Sequence, residues 1–147
     1  MIILGLDLSI HSTGFFICND NKEILECGTI KNATKLQQYE KVKQLVKKYK
    51  VTNVAIEDIF YSKNVKTMKD LAIIHGAIAL LFDKLIIPYK YYSVMTVKSV
   101  ALKVQGTNVL DASGKRKKGD ELKREVQKAM FIIFGKFCNE KELDLII

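Results

Sequence analysis

Two acids stand where chemistry could begin. Asp7 closes the run IILGLD, and Glu57, followed by Asp58, closes VTNVAIE. Each run is short, aliphatic and β-branched, the pattern of a buried strand, so each acid falls at a strand end. If the two strands lie parallel and adjacent, both acids reach one edge of the sheet, where open α/β sheets bind ligands. Paired carboxylates repel each other and resist ionising unless a cation lies between them. Mg²⁺ suits such a pair, because it takes a few carboxylates and completes its shell with water and phosphate oxygens. Two such ions about 3.5–4 Å apart could activate a water and stabilise the leaving oxygen in phosphodiester hydrolysis. The plainer alternative is that each acid caps its own strand or bonds a loop amide. Spacing alone leaves both open.

The elements that must position these acids follow in order. Ile2 to Leu8 reads as a central strand, Ser9 to Gly14 as a turn, Phe15 to Cys18 as a second strand and Glu23 to Ile30 as a third. Thr34 is the expected N-cap of a helix reaching Lys50, with Leu36, Tyr39, Val42, Leu45 and Val46 on one face. Val51 to Ile56 is the next strand. The longest helix is expected over 65–84, where LAIIHGAIALLF is apolar nearly all round. One of its faces must therefore meet the sheet and another a second surface. Pro88 to Val94 reads as a fifth strand, Thr96 to Val104 as a short helix, and Glu121 to Phe134 as an amphipathic helix. Between them, 105–120 holds three glycines and the run KRKK, so it is expected to be a loop with a basic tip. This order specifies one α/β domain over 1–147, with a mixed five-stranded sheet flanked by helices.

Composition narrows the partners. Lys and Arg number 24 against 16 acids, a formal charge of +8, which attracts polyanions such as nucleic acid or an anionic membrane surface. A Lys- and Ile-rich proteome would give the same surplus. Hydrophobic residues make up 48% of the chain and Pro occurs once, as in an ordered globular domain. Cys18, Cys27 and Cys138 form no CxxC pair or Cys/His cluster, so neither a zinc site nor a disulfide framework is expected. They read as small buried hydrophobes in a reducing compartment. The N-terminus lacks the basic segment of a signal peptide. The longest apolar run, Leu71 to Phe82, is too short to span a bilayer, so a cytoplasmic protein without membrane contact is expected.

Motifs around the two acids resemble a known family. ILGLDLSIHSTGFFI resembles the first motif of the RuvC-type Holliday junction resolvases: a strand, an acid, a small-residue turn, then Thr-Gly and an aromatic. VAIEDIFYSKNVKTMKDLAIIHGAI resembles their second motif, and VKSVAL and LKREVQ resemble the two lysine-bearing segments downstream. The compact, Lys- and Ile-rich form is most similar to resolvases carried by phages of Gram-positive bacteria. The resemblance implies a ribonuclease H-like fold and a homodimer, and the apolar helix 65–84 is the expected interface. It also implies Mg²⁺- or Mn²⁺-dependent nicking of branched DNA at four-way junctions. On the same basis Asp7 and Glu57 match the metal-binding acids, and Lys98 and Lys123 the basic residues near the scissile phosphate. Phe60 matches an aromatic that stacks near the crossover, and ordinary core packing is its alternative. Lys63 and Asn64, the K-N of the second motif, are expected DNA contacts. Lys115, Arg116, Lys117 and Lys118 are expected phosphate contacts, which position without reading sequence.

One departure stands out. The family's remaining acids form a D-x-x-D-like pair on a C-terminal helix, whereas this chain reads CNEKELDLII and stops. That helix is expected to be truncated or absent, with Asp144 the nearest substitute metal ligand ahead of Glu140 and Glu142. Asp144 could equally be a surface acid. A branched-DNA binding protein with an incomplete nuclease centre is therefore the alternative function. A relative of the actin-like kinases, whose first motif also pairs a strand-end Asp with Thr-Gly, would need a second domain. His11 lies in the turn beside Asp7, and His75 is expected to be a satisfied core or interface histidine.

Overall fold

Five strands and four helices follow one another along the chain in a computed structural model that describes residues 1–59, 63–103 and 106–134. Strands β1 (Ile2–Asp7), β2 (Ser12–Asn19) and β3 (Ile24–Lys31) form an antiparallel meander. Helix α1 (Lys35–Tyr49) then crosses to β4 (Asn53–Glu57), which pairs parallel with β1. Helix α2 (Val65–Leu85) leads to β5 (Tyr89–Tyr92), parallel to β4, giving the order β3-β2-β1-β4-β5. Helices α3 (Val94–Ala101) and α4 (Gly119–Phe134) come after the sheet. The expected mixed five-stranded sheet is observed.

Alternation along the strands divides the sheet into two faces. Leu4, Leu6, Phe15, Ile17, Val54 and Ile56 share one core with Val42, Leu45 and Val46 of α1 and Ile74, Ile78, Leu81 and Phe82 of α2. Gly28 lies opposite Phe15, and a Cβ there would come within 3.1 Å of the Phe15 ring. The other face carries Gly5, Asp7, Ala55 and Glu57, all half-buried. Local signals start and stop the helices. Thr34 and Gln37 form a reciprocal capping box at α1, and Lys50 ends it in the left-handed region at φ 52°.

Two expectations need correction. Ser12, Thr13 and Gly14 were expected in a turn, but they open β2. Thr13 is fully buried, and its hydroxyl donates to Gln38 Oε1 of α1 at 2.5 Å, which satisfies a turn-forming residue inside the sheet. The expected loop 105–120 contains a short antiparallel bridge between Leu110 and Arg116. Cys18 is a buried free thiol, and Cys138 lies outside the described residues. Among the described residues, no helix is long and apolar enough to cross a membrane.

Candidate active site

Asp7 and Glu57 are brought together by register. The Ile2 N–H donates to Thr52 Oγ1 at 3.0 Å, and the Thr52 N–H donates to the Ile2 carbonyl at 2.9 Å. This closes the opening end of the β1–β4 pair and sets Leu6 opposite Ile56, one step before the two acids. With parallel strands about 4.8 Å apart, the next two side chains emerge side by side on one face. A slip of one residue would send one of them into the core. On that face the small residues Gly5 and Ala55 precede the two acids, with Phe16 of β2 opposite Gly5 and Tyr92 of β5 opposite Glu57.

The segments leaving the acids are tied down. After Asp7, the Ser12 N–H donates to Ser9 Oγ at 3.0 Å, and the Ser9 hydroxyl donates to the Ser12 carbonyl. Buried Gln38 reaches up from α1 and donates to the Ile10 carbonyl at 3.1 Å. After Glu57, the Asp58 N–H donates to the Tyr92 carbonyl at 2.9 Å, fastening the end of β4 to β5. Both acids thus stand on fixed backbone.

Their electrostatics are those of an unneutralised pair. Burial raises the Asp7 carboxyl above its ordinary value of 3.8. Glu57 is raised above 4.5 first by burial and then by the negative charge of Asp7, while the Lys98 ammonium opposes the rise. Lys98 is delivered by α3, which starts directly after β5 because the Ser93 hydroxyl oxygen caps it, accepting from the Thr96 N–H at 3.1 Å. Two hard carboxylate donors with too little compensating charge fit a divalent cation. Among the described residues, no group of three or more potential ligands forms.

A model of the RuvC family, crossover junction endodeoxyribonuclease RuvC, matches residues 3–111. That span includes Asp7, Glu57, Phe60 and Lys98. The RuvC protein of Aliarcobacter butzleri is 38% identical over 89 residues, covering 54% of this chain and 58% of that protein. The RuvC of Brachyspira hyodysenteriae is 34% identical over 109 residues, covering 67% of this chain and 68% of that one. The chain belongs to the RuvC family of crossover junction endodeoxyribonucleases. Among solved structures, T. thermophilus RuvC in complex with Holliday junction substrate superposes with a TM-score of 0.75 at 17% identity, covering 99% of this chain and 88% of that one. The yeast mitochondrial Holliday junction resolvase gives 0.53 at 11% identity, over 97% and 80%. At these identities the likeness establishes the fold, which is ribonuclease H-like.

Within this RuvC-family chain, the other expected site residues fall in different places. Lys123 projects from α4 and lies 3.8 Å from Asp120 in an exposed i,i+3 pair. Lys63 is exposed, and Asn64 caps α2, its side-chain Oδ1 accepting from the N–H groups of Lys66 and Thr67. Lys115, Arg116 and Lys118 are exposed, whereas Lys117 pairs with Glu125 at 2.8 Å in a largely buried contact. Phe60, Asp144, Glu140 and Glu142 lie outside the described residues. His75 is buried and stacks on Tyr91, a core histidine as expected, although its Nδ1 has no hydrogen-bond partner among the described residues. Burial lowers its pKa, and the Asp58 charge opposes that. Gln38, Ser9 and Glu125 had no expected role. The contacts of Gln38 and Glu125 join segments distant in sequence, whereas Ser9 closes its own turn by bonding Ser12.

Proposed function

We propose that the chain is a metal-dependent endonuclease that nicks branched DNA at four-way junctions, with Asp7 and Glu57 as its metal-binding acids. The observation that carries this is electrostatic: a strand-end carboxylate pair, each raised by burial and coupled through Asp7, with one ammonium beside it. A divalent ion, Mg²⁺ or Mn²⁺, held there supplies Lewis-acid activation of a water and charge stabilisation at the scissile phosphate. Asp7 and Glu57 hold the position, and the fixed backbone behind them spares reorganisation. Lys98, half-buried beside Glu57, offers a cation to a non-bridging or leaving phosphate oxygen. The exposed positions of Lys63, Lys115, Arg116 and Lys118 support phosphate contacts along the duplex arms. Lys123, Phe60 and Asn64 keep the roles that their motifs imply, and Asp144 is the nearest substitute for a third ligand.

The paired cuts require two such sites, and we assign the dimer to α2. Ile73 and Leu80 are 56% and 69% exposed on one side of this helix, and a Cβ at Gly76 between them would meet nothing within 4 Å. Burying that stripe against its copy would set two sites by two-fold symmetry. A single nuclease domain acting on DNA in the cytoplasm fits this reading. The compact, Lys- and Ile-rich composition supports a phage source, although the curated relatives named above are bacterial.

A gel assay on a four-way junction with Mn²⁺ tests the proposal. Symmetric nicks on opposing strands are expected, and they should vanish with chelator. The second reading, a junction-binding protein with an incomplete nuclease centre, draws on the absence of a three-ligand group among the described residues. Binding without nicking would select it.

A further inference from the structure

The basic segment between α3 and α4 is built as an ordered hairpin. The Asp111 N–H donates to the Lys115 carbonyl at 2.8 Å, the Lys117 N–H donates to the Val109 carbonyl at 2.9 Å, and Leu110 bridges Arg116. Its turn is closed by one carboxylate oxygen. Asp111 Oδ1 accepts from the Ser113 N–H at 2.8 Å, the Ser113 hydroxyl at 2.7 Å and the Lys115 N–H at 3.0 Å. Gly114 takes the left-handed conformation the turn needs, at φ 77°.

A second carboxylate fixes the hairpin to the domain. Glu125 of α4 accepts from the Asn108 N–H at 2.8 Å through Oε2 and from Lys117 Nζ at 2.8 Å through Oε1. One side chain therefore holds both ends of the hairpin. The Lys117 and Glu125 side chains are only 18% and 13% exposed, so the pair is well shielded from solvent. Lys117 and the Asn108 N–H keep the Glu125 carboxyl below its ordinary value. Of the four basic residues, Lys117 is thus committed to structure, and Lys115, Arg116 and Lys118 remain exposed.

We infer that hairpin 108–117 is a pre-built clamp for the phosphate backbone of a duplex arm, and that Glu125 is its positioning residue. The inference rests on the DNA-cleaving reading above and deepens it, assigning three cations to contact and the fourth to support. A flexible basic loop would attract the same phosphates but would lose side-chain and backbone freedom on binding. A hairpin held by two carboxylates has already given that freedom up.

The charge signs make the test decisive. Glu125→Gln and Asp111→Ala each delete a negative charge beside the basic run. If the segment acts only as a pool of charge, both variants should bind DNA more tightly than the parent. If position matters, both should bind more weakly, by roughly three- to tenfold, the scale for ordering one or two side chains anew. Affinity is read on a linear duplex and a four-way junction without divalent metal over a salt series, with circular dichroism confirming the fold. The triple variant Lys115→Ala, Arg116→Ala, Lys118→Ala should lower the salt slope by about 2.7, at about 0.9 per phosphate contact. Should Glu125→Gln fail to fold, Asp111→Ala at the hairpin tip decides alone. Equal or tighter binding by a folded variant overturns the inference, as does an unchanged slope in the triple variant. Failure of the parent protein to bind either DNA would instead remove the DNA-handling reading beneath it.

Discussion

The two faces of the sheet alternate along the same strands but are built from different residue types. On one, Leu4, Leu6, Val54 and Ile56 are buried among the aliphatic side chains of α1 and α2. On the other, Gly5 and Ala55 lead to Asp7 and Glu57, and burial works against the charges it surrounds. The packed face supplies stability and fixes register. The acidic face costs some of that stability, because two half-buried carboxylates stand side by side. A strand can serve both ends because successive side chains point in opposite directions.

The largest contrast should appear in truncation. Leu4→Ala or Ile56→Ala should cost about 2–5 kcal/mol in denaturant unfolding, from lost burial and the cavity left behind. Ala55→Gly on the other face should cost only about 0.5–1 kcal/mol. Similar losses on both faces would break the comparison.

Next in size is the response to metal. Mn²⁺ at a hundred times its dissociation constant should stabilise the protein by about 2.7 kcal/mol near neutral pH. Asp7→Asn should remove that increment, read as a shift of the thermal midpoint. A smaller effect concerns the contact that ties α1 to β2. Thr13→Val should cost about 1–3 kcal/mol, because buried Gln38 Oε1 loses its donor.

The smallest effect has the least intuitive sign. A carboxyl with a folded pKa above its unfolded value binds its proton more tightly in the native state. The metal-free protein should therefore lose stability as pH rises from the ordinary carboxylate range through the raised values of Asp7 and Glu57. Glu57→Gln should flatten that loss, making the metal-free variant slightly more stable than the parent at neutral pH. Unchanged or lower stability in that variant would contradict the charge penalty assigned here.

How far the sequence could be read follows the range of the interactions involved. The aliphatic runs ending in Asp7 and Glu57 are local patterns, and both became neighbouring strands. Thr34 signalled its helix through a capping box that spans four residues. Thr13 did not, because a turn-forming residue became a strand residue through a bond to Gln38, 25 positions away. The basic run read as an open loop for the same reason. Its hairpin depends on Asp111 within the turn and on Glu125 from the following helix. The turn from Ser9 that follows Asp7 was a local pattern, whereas the long-range polar ties from Gln38 and Thr52 that hold the backbone of the two acids were not legible.

The central claim is that Asp7 and Glu57 form the metal-binding core of a nuclease centre. Single-turnover cleavage of a four-way junction by the parent protein, Asp7→Asn and Glu57→Gln tests it most directly, with binding measured on the same substrate. Each substitution is expected to slow cutting by more than about a hundredfold, the scale for losing one transition-state electrostatic partner, while junction binding persists. Cleavage at the parental rate by either variant would contradict it.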